Sequence, residues 1–147
     1  MTDPHDLQRF VDAQAPIYDQ VLAKVRAGRK RSHWMWFVFP QLRGLGHSAM
    51  AERYGIASRD EALAYLDHPL LGPRLVACTT LVTAVSDRSL NAILGSPDDL
   101  KFCSSMTLFA QVATGLAPRV TVFADALRVH GDGRRDPRTL ALLQQGS

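Results

Sequence analysis

The sequence predicts an all-α protein, a single compact domain of about seven or eight short-to-medium helices. Two observations indicate this class. Apolar residues recur at the spacing of amphipathic helices, and Ser, Pro and Gly residues stand where helices begin and end. In addition, the 147 residues contain no low-complexity linker and no repeat of fixed period. We therefore expect one domain over 1–147, frayed over its first few residues and over 144–147.

Apolar spacing and helix punctuation predict the helices of the first half in order. A short first helix covers 7–11, and a second covers 16–28, from a proline to a glycine. The six bulky residues 34–39 fit either one and a half turns of buried helix or a buried strand, and their helical surroundings favour helix. Ser58, followed three residues later by Glu61, is the signature of a capping box and starts the next helix.

In the second half of the chain, residues typical of helix starts and ends mark the helix boundaries more clearly. A long helix begins between two prolines and covers 69–85. The next covers 96–115, because it has a serine N-cap, a proline and two aspartates in its first turn, and a glycine at its end. Proline and glycine also delimit 118–131, and Asp-Pro at 136–137 starts a last short helix.

Composition excludes several classes of protein. With 46% hydrophobic and 21% charged residues the chain is an ordinary globular one, not a disordered one. It has no run of about 18 apolar residues, so no membrane span is predicted. The N-terminus lacks the cationic and apolar segments of a secretion signal, so we expect a cytoplasmic protein. Cys78 and Cys103 lie in apolar helical patterns and are expected to be buried free thiols.

The sequence lacks the motifs of common catalytic and cofactor sites. It has no Cys-x-x-Cys pair, no His-Glu-x-x-His, no phosphate loop of the Walker type and no Gly-x-Ser-x-Gly elbow. Its histidines do not have the i, i+3 or i, i+4 spacing that chelates a metal on a helix. Neither a metal nor a cofactor is therefore predicted.

The first candidate site is residues 30–48, KRSHWMWFVFPQLRGLGHS. Its two tryptophans offer flat faces for stacking on a base or sugar, and the cationic and amide side chains around them suit phosphate or carboxylate. The alternative is that the aromatic residues fill the core. The ligand-binding residues predicted here and just before are Arg29, Arg31, His33, Trp34, Trp36, Gln41, Arg43 and His47.

The second candidate site is the start of the helix that has two aspartates in its first turn. Asp98, Lys101 and Ser105 share one face of that helix, and Ser104 lies beside it. Partial burial at the mouth of a buried helix perturbs pKa values, so Asp99 and Lys101 are candidate catalytic residues. Ser104 and Ser105 are candidate ligand-binding residues. The alternative is that the acids only complement the helix dipole, with Lys101 as their i+3 partner.

Three segments of the chain indicate a family: GRKRSHWMWFVFPQLRGLGHSAMAERYGI, YLDHPLLGPRL and PDDLKFCSSMTLFA. In them the chain resembles a bacterial family of small proteins that is filed as a domain of unknown function and is often mislabelled calpastatin. The resemblance covers roughly residues 7–143. It implies an all-α fold and no established activity, so it supplies no catalytic residues.

A second resemblance concerns the order of three features. A proline-containing aromatic segment, a His-Pro-x-Leu helix start at 68–71 and a later Asp-rich helix follow one another. In this order the chain is similar to the NADAR superfamily, which is implicated in NAD and ADP-ribose metabolism. The similarity serves only to rank a nucleotide-type ligand above the other hypotheses.

Three hypotheses stay open at this point, two of them functional and the third a purely structural domain. The first is a pocket that binds or hydrolyses a phosphorylated nucleoside or ADP-ribose-like ligand. Asp99 would stabilise an oxocarbenium-like state, Lys101 and Arg43 would hold phosphate, and an indole would stack on the base. The second is a non-enzymatic module that binds protein or nucleic acid through the basic segment 24–31. The small net charge of +3, and the lack of aromatics between the cations, disfavour nucleic acid.

Overall fold

The fold is helical throughout the part of the chain that the computed structural model describes, which is residues 3–26, 35–46, 48–85, 89–94, 98–113, 121–131 and 134–145. These residues form ten helices and no β-strand. The helices are α1 Gln8–Gln14, α2 Tyr18–Arg26, α3 Met35–Val38, α4 Ala49–Tyr54, α5 Arg59–Asp67, α6 Leu71–Ala84, α7 Leu90–Leu94, α8 Asp98–Ala113, α9 Val122–Gly131 and α10 Pro137–Gln145. None of these helices is long and apolar enough to span a membrane.

The ten described helices exceed the predicted seven or eight because α4 and α7 are not predicted from the sequence. These helices have six and five residues, which is too short for apolar periodicity to stand out. Each nevertheless begins at a serine whose hydroxyl oxygen caps it. Ser48 Oγ accepts a hydrogen bond from Ala51 N at 3.1 Å, and Ser89 Oγ accepts one from Ala92 N at 3.1 Å.

Some helix boundaries follow the predicted punctuation, whereas α2 begins at Tyr18 instead of Pro16 and α6 covers Leu71–Ala84 instead of 69–85. Ser58 Oγ accepts a hydrogen bond from Glu61 N at 3.2 Å and starts α5, as predicted. Gly131 ends α9, also as predicted. The ambiguous segment 34–39 is helical over 35–38. The helix ends predicted at residues 28 and 115, and the helix starts predicted at 96 and 118, lie outside the described residues.

Helix α8 lies at the centre of the fold, packed against α5, α7, α9 and α10. Its side chains Phe102, Met106 and Phe109 are fully buried. The ring centroid of Phe109 lies 5.5 Å from that of Tyr65 in α5 and 5.6 Å from that of Phe123 in α9. Because burying one such side chain contributes about 1.5–3 kcal/mol, this aromatic contact is a main source of stability.

A pair of backbone hydrogen bonds holds the loop between α3 and α4 against the segment before α5. Arg43 N donates to Ile56 O at 2.8 Å, and Ile56 N donates to Gln41 O at 2.9 Å. Gly44 has φ +106°, in keeping with the unusual loop geometry that the Gly-Leu-Gly sequence predicts. A Cβ at Gly55 would lie 2.9 Å from Arg43 Cα, so the two segments come this close because residue 55 is glycine.

The two cysteines are free thiols, as predicted. Cys78 is fully buried, and this burial raises the pKa of its thiol to about 11. Cys103 is only half-buried, with Sγ 3.8 Å from the carbonyl oxygen of Arg134. The expectation of a buried thiol therefore holds for Cys78 and only in part for Cys103.

Candidate functional site

The predicted site residues that the structure describes fall into three groups. One group lies where α3 meets α8, a second lies under the start of α10, and the third lies at the loop between α3 and α4. Five predicted ligand-binding residues lie outside the described residues: Arg29, Arg31, His33, Trp34 and His47.

The first group joins Trp36 and Lys101. Lys101 Nζ lies 3.9 Å from the centroid of the Trp36 ring and 3.3 Å from Asp98 Oδ1, and all three residues are half-buried. A cation–π contact of this kind contributes about 0.5–1 kcal/mol. The ammonium group therefore covers one face of the indole. Asp98 is thus the i+3 ion-pair partner of Lys101, which is the alternative to a catalytic role that the sequence suggested for Lys101.

Asp99 faces α7 instead of Lys101. Its carboxylate accepts hydrogen bonds from Asn91 Nδ2 at 3.3 Å and from the backbone N of Leu100 at 2.9 Å. Within the part of the chain that the structure describes, neither a hydrogen bond nor an ion pair joins Asp99 to Lys101. A joint catalytic role of these two residues stays a prediction.

The second group contains Ser104 and Ser105. The Ser104 hydroxyl lies 3.0 Å from Asp136 Oδ2. The same carboxylate oxygen accepts hydrogen bonds from Thr139 N at 3.2 Å and Thr139 Oγ1 at 2.5 Å and so caps α10. Ser105 is fully buried, and its Oγ has no hydrogen-bond partner among the described residues. Ser104 thus ties α8 to the cap of α10, and ligand binding by either serine stays a prediction.

The tie between α8 and α10 leads to a first prediction. We expect Ser104→Ala to lower the free energy of unfolding by about 1 kcal/mol, because the half-buried Asp136 carboxylate loses one donor. Urea denaturation measures this loss. Thr80→Ala is the control, since the one hydrogen bond of the exposed Thr80 hydroxyl among the described residues is to the Val76 carbonyl of its own helix. A Ser104→Ala variant as stable as the Thr80→Ala variant contradicts the prediction.

The third group lies at a charged cavity of about 430 Å³, here called the arginine cleft. It is surrounded by four segments: the N-terminal turn, the loop that follows α3, helix α4, and the start of α5. Its charged and titratable lining residues are His5, Asp6, Arg9, Arg43, Glu52, Arg53 and Glu61. A neighbouring cavity of about 590 Å³ shares Arg43, Glu52 and Arg53 with it and extends along Gly44 and Gly46.

The floor of the arginine cleft is an ion pair between Arg9 and Glu61. Arg9 Nη2 lies 2.7 Å from Glu61 Oε2, and the two side chains are 9% and 5% exposed. The remaining Arg9 donors bind the backbone carbonyl oxygens of residues 5, 6, 53 and 55. Because these acceptors occupy the whole guanidinium group, Arg9 shapes the cleft and has no donor left for a ligand.

Arg43 and Arg53 provide the positive charge at the rim of the cleft. Both are exposed. Within the described residues, neither guanidinium group has a carboxylate partner at ion-pair distance, although Arg53 Cζ lies 5.5 Å from the ring centroid of Tyr54. Among those same residues, no three His, Cys, Asp or Glu side chains form a group that suits a metal ion. An anion entering the cleft would therefore meet two guanidinium groups that no described carboxylate contacts at ion-pair distance, although Asp6 and Glu52 line the same cavity.

The structure brings Arg43 together with Arg53 and not with Lys101. Neither Lys101, Asp99 nor Trp36 lines a described cavity that Arg43 lines. Gln41, between Arg43 and the aromatic segment, is buried. Arg53 and Glu52 are not among the predicted site residues. The adjacent Glu52 and Arg53 in AERYG indicate a charged surface position. The sequence gives no indication, however, that this position lies beside Arg43.

The chain matches a known family and a solved structure. The profile of the family described as "Protein of unknown function (DUF1810)" matches residues 4–143. The crystal structure of the conserved hypothetical protein Rv1873 from Mycobacterium tuberculosis is similar, with 58% identity, a TM-score of 0.92, and coverage of 97% of this chain and 99% of that chain. No curated protein matches the chain. These matches support the resemblance to a family of unknown function and the helical fold, and they show neither the calpastatin label nor the similarity to the NADAR superfamily.

Proposed function

The chain belongs to the DUF1810 family, and we propose that it is a pocket-type domain that binds a phosphorylated nucleoside or ADP-ribose-like ligand, with the phosphate in the arginine cleft. The main supporting observation is that Arg43 and Arg53 line the same two cavities without a described carboxylate partner. Guanidinium groups bind phosphate with paired, charge-assisted hydrogen bonds. The choice of a nucleotide-type ligand is carried over, as an expectation from the order of sequence features alone, from the resemblance to the NADAR superfamily.

The backbone around the arginine cleft is already fixed before a ligand binds. The backbone of Arg43 is held by its hydrogen bond to Ile56 O, and the carbonyl group of Arg53 accepts a hydrogen bond from Arg9 Nε at 2.8 Å. Binding then needs to order only side-chain rotamers, which keeps its entropic cost low. The cavity volumes of about 430 and 590 Å³ are in the range of small-molecule sites.

The proposed function is binding of the ligand, without its hydrolysis. Hydrolysis of an N-glycosidic bond needs a carboxylate at the sugar. Asp99 lines neither of the two cavities, and its carboxylate is hydrogen-bonded to Asn91. Lys101 is engaged by Asp98 and Trp36. In the proposal the phosphate is therefore held by Arg43 and Arg53.

A thermal-shift experiment with inorganic phosphate, pyrophosphate, AMP and ADP-ribose tests the proposal. A ligand at a hundred times its Kd should add about 2.7 kcal/mol to the free energy of unfolding. We expect Arg43→Gln to weaken binding about ten- to a hundredfold, because one charge-assisted contact is lost. Arg128→Gln is the matched control, since it removes the same charge from an exposed position on α9.

Two results contradict the proposal. One is a wild-type protein that no phosphorylated compound of the panel stabilises, and the other is an Arg43→Gln variant that binds as tightly as the wild type. Binding of nucleic acid through 24–31 predicts a different pattern. Its affinity would fall steeply with salt concentration and would not respond to Arg43→Gln.

A further inference from the structure

Two acidic side chains of the arginine cleft, Asp6 and Glu52, have no ion-pair partner among the described residues, and of these two only Glu52 lines both cavities. The chain has two glutamates, Glu52 and Glu61. Glu61 is engaged in the floor, where it pairs with Arg9 and accepts a hydrogen bond from Ala57 N. Glu52 is exposed and lines both cavities beside Arg43 and Arg53. Among the described residues, no cation lies at ion-pair distance from its carboxylate.

Helix α4 fixes the position of Glu52 in the lining of the arginine cleft. Its backbone N donates to Ser48 O at 3.1 Å, and Ser48 caps the same helix through its hydroxyl oxygen. Arg53 follows directly in the helix, so the carboxylate and a guanidinium group project from adjacent positions into the same two cavities. A ligand that reaches the guanidinium groups of the cleft therefore passes an ionised carboxylate.

An ionised carboxylate repels phosphate and can only accept hydrogen bonds. A purely anionic ligand would therefore be disfavoured by Glu52 in a cleft that otherwise suits anions. A ligand that presents hydrogen-bond donors a short distance from its phosphate satisfies both groups. Two neighbouring sugar hydroxyls match the two oxygens of one carboxylate, which is how acidic residues hold the ribose of dinucleotides in other folds.

We propose that Glu52 makes the cleft selective for a 5-phosphorylated ribose with free vicinal hydroxyls. This inference rests on the proposed function, because the phosphate is assumed to lie against Arg43 and Arg53. The phosphate pairs with the two guanidinium groups, and the diol donates two hydrogen bonds to the Glu52 carboxylate. An ammonium group is a poorer match than the diol, since the same two arginines repel it.

Titrations of the isotope-labelled protein, followed by the NMR amide shifts of the cleft residues, test this inference. The probes are ribose 5-phosphate, 2-deoxyribose 5-phosphate, inorganic phosphate and phosphoethanolamine. We expect ribose 5-phosphate to bind about ten- to a hundredfold more tightly than the deoxy compound, because hydrogen bonds to a charged group are strong. Glu52→Ala should abolish this difference and preserve or strengthen the binding of phosphate.

Asp60→Ala is the matched control, since Asp60 is an exposed acid on α5 that lines neither cavity. This variant should keep the preference for ribose. Equal binding of the ribose and deoxyribose compounds overturns the inference, as does a preference that survives Glu52→Ala or a stronger, Glu52-dependent binding of phosphoethanolamine. If phosphate binds in the cleft in these cases, the proposed function stands. If none of the four probes binds, both fail.

Discussion

Replacing Arg9 with methionine should lower the free energy of unfolding by about 3–5 kcal/mol. The substitution leaves the Glu61 carboxylate, 5% exposed, without its ion-pair partner. It also removes the donors of four backbone carbonyl groups that hold the N-terminal turn to the end of α4. A buried charge without a partner is among the most destabilising changes in a folded protein. Urea denaturation followed by circular dichroism measures the loss.

A double-mutant cycle separates the ion pair from the other contacts of Arg9. Glu61→Leu removes the carboxylate, so Arg9→Met should cost less in the Glu61→Leu background than in the wild type. Arg128→Met is the matched control, because the Arg128–Asp125 pair is exposed and should contribute less than about 1 kcal/mol. An Arg9→Met variant as stable as Arg128→Met contradicts the assignment of Arg9 and Glu61 as the structural floor of the cleft.

Local signals in the sequence predict several helix ends but not the contacts between distant segments. Ser58 and Gly131 bound helices as predicted because caps depend on neighbouring residues alone. The Glu61 side chain shows why neighbouring residues alone do not predict every contact. Its position suggests a capping box that bonds the Ser58 amide, yet one carboxylate oxygen pairs with Arg9, 52 residues earlier, and the other accepts from Ala57 N.

The same limit applies to the candidate site. Arg43 is a predicted phosphate ligand, and its exposure in the arginine cleft suits that role. Lys101 is its predicted partner, but the structure engages Lys101 with Asp98 and Trp36 and sets Arg53 beside Arg43. The partner depends on how the loop after α3 crosses the end of α4, and a packing contact of this kind has no periodic signal in the sequence.

Of the four glycines whose surroundings the structure describes, Gly72 leaves the least space for a methyl group, so Gly72→Ala should be strongly destabilising. Gly72 is the second residue of α6, where alanine would normally stabilise a helix by up to about 1 kcal/mol. At this position, however, a Cβ would lie 2.0 Å from the carbonyl oxygen of Leu66, a backbone atom of α5. Since a backbone carbonyl has no rotamer that moves it aside, the two helices must separate.

The turn between α5 and α6 has little freedom to absorb that separation. Gly72 N donates to His68 O at 3.2 Å, and His68 Nδ1 accepts hydrogen bonds from Leu70 N and Leu71 N. Moving α6 outward breaks these bonds and also pulls the fully buried Leu71 from the core. We therefore expect Gly72→Ala to lower the free energy of unfolding by about 3 kcal/mol, with a lower melting temperature.

Gly46→Ala is the control for Gly72→Ala. A Cβ at Gly46 would meet only the Ala51 side chain, at 3.1 Å, so a small shift accommodates it and we expect a loss below about 1 kcal/mol. Comparing the two variants by urea denaturation separates steric exclusion from the general effect of adding a methyl group. A Gly72→Ala variant that is as stable as the wild type, or more stable, would mean that α5 and α6 do not approach as closely as the Leu66 carbonyl requires.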